Sequence, residues 1–589
     1  MSDLEIESPH VIVEGSSRTS AAGVVGSAAQ GVHGAKLAQQ IMERQKRLER
    51  QRDARDAVWD DVDEYITARR ARYDIGTKRG GDEDKAPGES IYDGTATLAL
   101  EDFCNGWQSQ SANSLVKWWG ARFRNQQLRK LNDANRWLDL VEEILAFEMA
   151  SSNVYEQINE AYQDGATHGN ATMVGPEWNA SKNRFFVLER HPREIFFAVD
   201  YRGEVDLWHR QFVLTGRQIL AQFGTENLTE QLLADIKRNP YRQPTCIHSI
   251  FRREERDVTS PLRTDLPWAS VYVLPQYKLV LDEGGYTDME VPITWRWSAD
   301  SSYPYGWGAA DRAIWDVMGT NAAMKSLLHA AQLAVNPAYI TTENMAGNVD
   351  IQPGGEIVLK NAATDKVAAF QYPSQFTVGV QQISDLRAEL RQRFKANIFQ
   401  LQSQMGGKIT AFQANLIQGE ISAALIPITT RASSQLLVPL VNRFFHAAVK
   451  NGRIPPPPPS VMQYASSPVD IEMLGPMAVA AKRYLSQQGL TAFLGMLGEL
   501  DKIAPNVAQA ISKTINPDEL RKYVTDGDGT PQKIFFTDKE IAAMRQAEAE
   551  MVKQQQKQQM LSQIADAYNK TQQAPQPGSG ASQIVGSGR

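Results

Sequence analysis

The most restrictive feature of this sequence is a helical apolar stripe in its second half. The stripe comprises Val380, Ile383, Leu386, Leu390, Phe394 and Ile398. These residues step by three or four positions, which places them on one face of a helix. Charged residues fill the opposite side, from Arg387 to Lys395. We therefore predict a helix over residues 376–400 with one buried face.

A second long helix is predicted upstream, over residues 309–335. Apolar side chains recur there at helical spacing from Ile314 to Val335, and a rise of 1.5 Å per residue gives a length of roughly 40 Å. Residues 338–375 between the two helices have strand-and-turn character, with a turn at Pro353-Gly354-Gly355. The middle of the chain is therefore two long helices separated by a compact insert.

The remaining sequence predicts an α+β fold that is mainly α-helical. Helical patterns cover residues 36–72 and 91–165, and tryptophans in the second of these are candidate core anchors: Trp107, Trp118, Trp119 and Trp137. Short β-rich runs follow between residues 184 and 297, interrupted by one helical insert at 215–237. The 589 residues exceed one domain of roughly 100–200 residues, so several structural units are expected.

Charge limits the classes of partner. The chain carries 62 basic and 68 acidic side chains, a net charge of −6, which disfavours tight static nucleic-acid binding but not transient or sliding contact. Residues 44–56 hold six basic and three acidic side chains, and a solvated helix face is the favoured interpretation of this run.

Cysteine usage and hydropathy exclude two further classes. Cys104 and Cys246 lie far apart, so a disulfide framework and Cys-rich zinc modules are excluded, and two buried thiols are expected. No apolar run reaches the ~18 residues of a membrane helix, and the acidic start differs from a signal peptide. We expect a cytosolic, non-membrane protein.

Enzyme motifs are incomplete. Gly406-Gly407-Lys408 resembles the end of a phosphate-binding loop, but Gln402 and Ile409 replace residues that such a loop requires. Gly306-Trp307-Gly308 resembles part of a dinucleotide fingerprint, but the third glycine is missing, and Asp311 would repel a pyrophosphate. The histidines lack metal-ligand spacing. We predict no catalytic site, cofactor or metal, and a mechanical or structural role.

Several sequence blocks, taken in order, carry a family resemblance. They are IYDGTA at 91–96 followed by Lys117-Trp118-Trp119, DGATHGNA at 164–171, SYPYGWG at 302–308, GRIPP at 452–456, and DIE at 470–472 leading to Gly475-Pro476. From about residue 36 to 550 the chain resembles the head-to-tail connector, or portal, proteins of short-tailed bacteriophages. Departures are Gly94, Trp119 and the TAFQ sequence at 410–413, where the family commonly has Ser, Phe and a T-A-T-E element.

The resemblance implies a homo-oligomeric ring, twelve-fold in that family, at one capsid vertex. Double-stranded DNA would be pumped through its channel by a separate terminase motor and would leave through it during ejection, with weak contact. Further implied partners are tail adaptor proteins, the major capsid protein and scaffold proteins. The implied location is the virion, after assembly in the host cytoplasm.

The resemblance also divides the chain into portal subdomains. They are a flexible N-terminal arm (1–35), wing (36–300), first stem helix (301–337), clip (338–375), second stem helix (376–400), tunnel loop (401–412), wing return helices with a proline linker (413–467), crown (468–530), C-terminal helix extending as a barrel (531–570) and disordered tail (571–589).

Three groups of candidate site residues follow. The tunnel loop would touch DNA through Gln402, Gln404, Gly406, Gly407 and Lys408, the alternative being an ordinary helix connection on the wing. The candidate stem charges are Arg387, Arg391 and Lys395. They would face either the channel or, in the favoured interpretation, neighbouring subunits. The ring interface would use Ile383, Leu386, Leu390 and Phe394, the alternative being that this stripe packs within its own subunit.

Two other classes compete with the portal interpretation. A coat, scaffold or internal head protein without a channel would share the acidity and the lack of enzyme motifs, but it needs no pair of long helices around a compact insert. A packaging ATPase or nuclease would need catalytic motifs, and the incomplete phosphate loop argues against the ATPase.

Overall fold

The computed structural model describes residues 27–67, 91–260, 262–300, 302–336, 339–341, 361, 367–369, 376–398, 425–462, 469–478 and 550–563 except 552 and 555. The chain divides into two compact units, Met1–Phe493 and Leu494–Arg589. In the second unit the described residues are helical. The predicted tunnel loop, most of the clip and crown, and the C-terminal tail lie outside the described residues.

Helices supply most of the described part of the first unit. They are α1 (Ser27–Tyr65), α2 (Thr95–Ser111), α3 (Asn132–Ser151), α4 (Val154–His168), α5 (Gly216–Phe223), α6 (Glu230–Arg238), α7 (Ala309–Val335), α8 (Phe376–Arg393), α9 (Val438–Lys450) and α10 (Pro459–Met462). Residues 425–432 are also helical and continue through a π-helical turn, Ser433–Leu437, into α9.

The strands pair in antiparallel sheets. They are β1 (Trp119–Phe123), β2 (Asn170–Asn179), β3 (Arg184–Arg190), β4 (Ile195–Val199), β5 (Val205–Val213), β6 (Thr245–Arg252), β7 (Trp268–Leu274), β8 (Leu279–Tyr286), β9 (Ile293–Arg296), β10 (Tyr339–Thr341), β11 (Val367–Ala369) and β12 (Val469–Met473). A five-stranded meander has the order β4-β5-β6-β7-β8, and a three-stranded sheet has the order β3-β2-β9. Two-stranded ladders join β1 to β12 and β10 to β11. Helices together with antiparallel sheets confirm the α+β class.

Element boundaries agree with the predictions for α7 and differ at three other places. Helix α1 begins at Ser27, inside the predicted arm. The single helical insert is two helices, because Gly224 ends α5 with a φ of 69° and the Thr229 side chain caps α6. Helix α8 ends at Arg393 instead of residue 400, because Lys395 has a left-handed φ of 58° that a continuous helix cannot include.

Helix α1 buries one regular stripe along its length. The buried positions are Ala38, Ile41, Gln45, Leu48, Arg52, Arg55, Trp59, Val62 and Ile66, and they step alternately by three and four residues. The expectation of a solvated basic face is therefore wrong for Arg52 and Arg55, which are 4% and 2% exposed.

Both buried arginines of α1 have specific partners. Arg52 donates a 2.9 Å hydrogen bond to the Ile195 carbonyl oxygen, and its guanidinium lies 3.5 Å from the Phe196 ring centroid. Arg55 donates to the Asp311 carboxylate at 2.6 Å. Burial lowers the pKa of Arg52, although the nearby Asp56 opposes this. These contacts compensate the cost of removing the two cations from water.

The main core is aromatic and confirms most of the predicted anchors. Trp107, Trp118 and Trp119 are buried, whereas Trp137 is partly buried. Trp107 stacks on Tyr162 with ring centroids 4.2 Å apart. Both cysteines are also buried, as expected.

A glycine in α4 lets this core close. A Cβ added to Gly165 would lie 2.2 Å from Trp295 Cζ3, and such an approach is sterically forbidden. Helix α4 therefore packs its backbone directly against the Trp295 ring.

Replacing Arg55 with methionine tests the buried pair, because methionine keeps much of the volume but leaves the Asp311 carboxylate without its cation. We expect the free energy of unfolding to fall by roughly 3–5 kcal/mol, measured by urea unfolding with tryptophan fluorescence. Arg47→Met, at an exposed position of the same helix, is the control and is expected to change stability by less than about 0.5 kcal/mol. Equal losses in the two variants would contradict the role of the pair.

Candidate functional site

The first part of the site is a backbone junction at the start of α7. Gly169, just after α4, has a φ of 77°, and a Cβ on it would lie 2.3 Å from the Gly306 carbonyl oxygen. A Cβ on Gly308 would lie 2.5 Å from the Ala166 carbonyl oxygen. Only glycine permits such close approach of two backbones. Blocks 164–171 and 302–308, far apart in the sequence, thus form one contact, which we call the glycine junction.

Hydrogen bonds fix the glycine junction to neighbouring strands. The Gly306 amide donates to the Asn170 side-chain oxygen at 2.7 Å, at the start of β2. The Trp297 amide, just after β9, donates to the Gly169 carbonyl oxygen at 2.9 Å. The first turn of α7 is consequently held by the sheet β3-β2-β9 as well as by α4.

The Asp311 side chain caps the N-terminus of α7. Its carboxylate accepts the Gly308 amide at 2.6 Å and also accepts from Arg55. Burial raises the pKa of Asp311, although the charge and hydrogen bond of Arg55 and the Gly308 amide oppose this. Because a side chain of the helix itself occupies this terminus, no backbone donor is left at Gly308 for a phosphate. Residues 306–308 lead into a helix as predicted, but the structure assigns no turn to them and Gly308 is extended.

A second contact holds α7 and α8 together through the block 91–96. The Asn321 side-chain oxygen in α7 accepts the backbone amides of Tyr92 and Asp93 at 2.7 and 3.2 Å. Arg387 in α8 donates to the Asp93 carboxylate at 2.7 Å, and the other carboxylate oxygen accepts the Thr95 amide at the start of α2. Burial opposes ionisation of Asp93, but these hydrogen bonds outweigh it and hold its pKa below the usual range.

The direction of the helix pair follows from its contacts. Arg393, at the end of α8, pairs with Asp316 near the start of α7 at 2.8 Å. At the other end, a Cβ on Gly379 would lie 3.4 Å from Leu327. Residue numbers rise along α7 as they fall along α8, so the two helices are antiparallel.

The two helices differ in burial along their length. Helix α7 buries side chains from Ala310 to Asn321 and none from 322 to its end. Its second half is rich in Ala and Leu and carries only Lys325 and His329 as ionisable side chains. Exposed apolar side chains there include Leu328 at 40% and Val335 at 87%, and Val380 of α8 is 56% exposed. The far ends of the pair thus present apolar surface in the isolated subunit.

The apolar stripe of α8 is mostly buried within its own subunit. Ile383, Leu390 and Phe394 are 4%, 1% and 1% exposed, and Leu390 and Phe394 belong to the main core of the subunit. Leu386 is partly buried. Because the stripe packs against its own subunit, these side chains leave little surface for another copy, and the alternative of packing within the subunit fits the structure.

The predicted stem charges have different environments. Arg387 is committed to Asp93 of the same chain. Arg391 is exposed, and no ion pair joins it to another described residue. Lys395 is half-buried, and burial together with the Arg312 charge lowers its pKa. The tunnel-loop candidates Gln402, Gln404, Gly406, Gly407 and Lys408 lie outside the described residues.

Sequence reasoning missed several polar residues that build this site: Arg55, Asn170 and Asn321. The sequence offered two weak indications. Asn321 places a side-chain amide inside an apolar helical segment, and Asn170 directly follows a glycine. Arg55 was hidden within a basic run, because its partner Asp311 is distant in sequence.

Two other kinds of site were sought. The described ranges contain no group of three or more His, Cys, Asp or Glu side chains suited to a metal ion. None of the described helices combines the length and apolar character needed to cross a membrane.

Comparison with known proteins assigns the family. A sequence model of the family described as "Bacteriophage head to tail connecting protein" matches residues 38–535. The chain is 24% identical over 542 residues to the probable portal protein of Bordetella phage BPP-1, covering 90% of this chain and 94% of that protein. It is 21% identical over 523 residues to the portal protein of Salmonella phage epsilon15, covering 87% and 91%. Because the family match includes the blocks that form the glycine junction and the helix pair, the chain belongs to the bacteriophage head-to-tail connecting protein family.

Proposed function

We propose that this chain is a portal subunit. Copies of it would form a ring at one capsid vertex, and double-stranded DNA would pass through the ring into the head during packaging and out during ejection. Membership of the head-to-tail connecting family along residues 38–535 carries this proposal. The ring would also dock the terminase motor and the tail adaptor, and it would contact the capsid and scaffold proteins.

The helix pair supplies the physical support for a ring. Its base is fixed by the glycine junction, by Asn321 and by Arg387, whereas the second half of α7 exposes apolar side chains. An exposed apolar face on a rigid support is normally covered by association. A contact between different faces of identical subunits closes into a ring when the rotation between copies allows it. We therefore assign the second half of α7, together with Val380 of α8, to the contact between neighbouring copies.

Charge is compatible with a conduit. Each copy has a net charge of −6, so the assembled ring would repel DNA as a whole. Strong phosphate contacts would oppose sliding, whereas isolated cations give weak, repeated contact. Arg391, exposed on α8, is one of the described stem cations available for such contact or for a neighbouring copy.

The alternative, a scaffold or internal head protein, has less support. Both relatives are named as portal proteins, and each aligns over most of its own length. A scaffold also has no evident use for a helix pair anchored at one end and exposed at the other.

Imaging of the purified full-length protein by negative stain tests the proposed function. We expect rings with a central hole wide enough for duplex DNA. Particles without a hole, or subunits that never form closed rings at high concentration, would contradict the portal proposal and favour the alternative.

Replacing either of two leucines of the helix pair with aspartate is expected to affect different properties, assembly in one case and folding in the other. Leu328→Asp, at a 40% exposed position, should leave the subunit folded but shift rings to monomers, because a charge would lie in the apolar contact. Leu390→Asp, at a 1% exposed position, should unfold the subunit, since a core charge costs more than about 3 kcal/mol. Light scattering measures the assembly state, and circular dichroism measures folding. Intact rings of Leu328→Asp would contradict the assigned contact.

A further inference from the structure

A cavity of about 430 Å³ lies beside the start of α7 and the end of α8. Its lining includes four cationic side chains, from Arg312, Arg393, Lys395 and Arg431, and no acidic side chain. We propose that this cavity, the basic pocket, is a binding site for a phosphate-class oxyanion. The proposal concerns a ligand of the subunit and goes beyond the proposed passage of DNA through a ring.

The positive charge of the basic pocket is not neutralised by the described residues. Arg393 has carboxylate partners in Asp316 and Glu389. Arg312, Lys395 and Arg431 form no ion pair with any described residue. Arg312 donates a long hydrogen bond of 3.3 Å to the Ser298 hydroxyl, which is neutral. Three cations therefore share one cavity without a counter-charge from the described chain.

One nitrogen of Arg431 is not compensated by the protein. Its Nη1 is shielded from solvent and has no hydrogen-bond partner. A guanidinium N–H that has lost water without gaining an acceptor is costly. Arg431 therefore brings to the wall of the pocket a positive charge that its own hydrogen bonds do not fully offset.

The cations of the pocket lie close enough to repel one another. Burial and the charge of Arg312 both lower the pKa of Lys395. Burial and the charge of Arg431 lower the pKa of the neighbouring Arg296, which is 8% exposed. A bound anion would reverse this field, so the folded chain gains stability from filling the pocket.

Lys395 lines the pocket in an unfavourable backbone conformation. Its φ of 58° is left-handed, and a residue with a Cβ pays roughly 1–2 kcal/mol for that conformation. Unfavourable conformations of this kind persist where the surrounding structure holds them, and they cluster at functional sites. The turn after α8 thus places a flexible ammonium beside two guanidinium groups.

The walls of the basic pocket strengthen an electrostatic contact. Trp297, Phe394, Pro427 and Ile428 line it on the apolar side. Apolar walls lower the effective dielectric constant, and ion–ion attraction increases accordingly. Guanidinium groups hold tetrahedral oxyanions through paired N–H donors, and the lysine adds a point charge. Three unpaired cations favour a multivalent phosphate over chloride.

The occupant would connect three parts of the chain. Arg312 belongs to α7, Lys395 follows α8, and Arg431 lies in the helical residues 425–432. Two sources share the required chemistry, namely free phosphate and a phosphodiester of DNA, and competition between them distinguishes the sources.

Titration calorimetry of the full-length protein with inorganic phosphate tests the proposal. We expect saturable binding of one phosphate per subunit, and no comparable binding of chloride at equal ionic strength. Arg431→Gln should weaken binding about tenfold or more, because one charged hydrogen bond is lost. Lys395→Gln should weaken it in the same direction. Arg47→Gln, at an exposed position of α1, is the control and should bind as the natural chain does.

The remaining outcomes are also decisive. Circular dichroism identifies a variant that has failed to fold, and the other variant then gives the comparison. A short DNA duplex that displaces phosphate would identify a phosphodiester as the source, and binding unaffected by duplex would identify free phosphate. No saturable binding, or equal affinity in Arg431→Gln and Arg47→Gln, would overturn the proposal.

Discussion

The contact between Gly169 and the pair Gly306 and Gly308 is the constraint on which the rest of this site depends. Two backbones meet there without room for a Cβ, so the end of α4 and the start of α7 have one relative position. That position brings Asp311 to the Gly308 amide and to Arg55 of α1. Through these contacts three elements distant in sequence share one fixed point.

From this fixed point, α7 changes character along its length. Its first half is buried against the core, and its second half is exposed and apolar. Asn321 marks the change, where the block 91–96 and Arg387 tie α7 to α8. The helix is therefore anchored rigidly at one end and exposes apolar surface at the other. Association of identical subunits would cover that surface. In the proposed portal ring, the first half of α7 fixes the helix to its own subunit and the second half contacts a neighbouring copy.

The sequence predicted those features that depend on local pattern. The bounds of α7 and the buried face of α8 followed from apolar periodicity. The basic run of α1 was predicted to be solvated, but Arg52 and Arg55 belong to a regular buried stripe, because distant partners compensate their charges. Periodicity identified the α8 stripe but not what covers it. The burial of Ile383, Leu390 and Phe394 favours the alternative that the stripe packs within its own subunit. The end of α8 at Arg393 depends on the left-handed Lys395, for which no residue type gave a signal.

The most direct test of this account compares two glycine-to-alanine changes at the start of α7 and within it. Gly308→Ala adds a Cβ 2.5 Å from a carbonyl oxygen, whereas a Cβ on Gly319, in the same helix, meets no atom within 4 Å. The account predicts that Gly308→Ala lowers the free energy of unfolding by about 2 kcal/mol or more and reduces ring assembly. It predicts that Gly319→Ala raises stability by about 0.5–1 kcal/mol and leaves assembly unchanged. Equal stability and equal assembly of the two variants would contradict it.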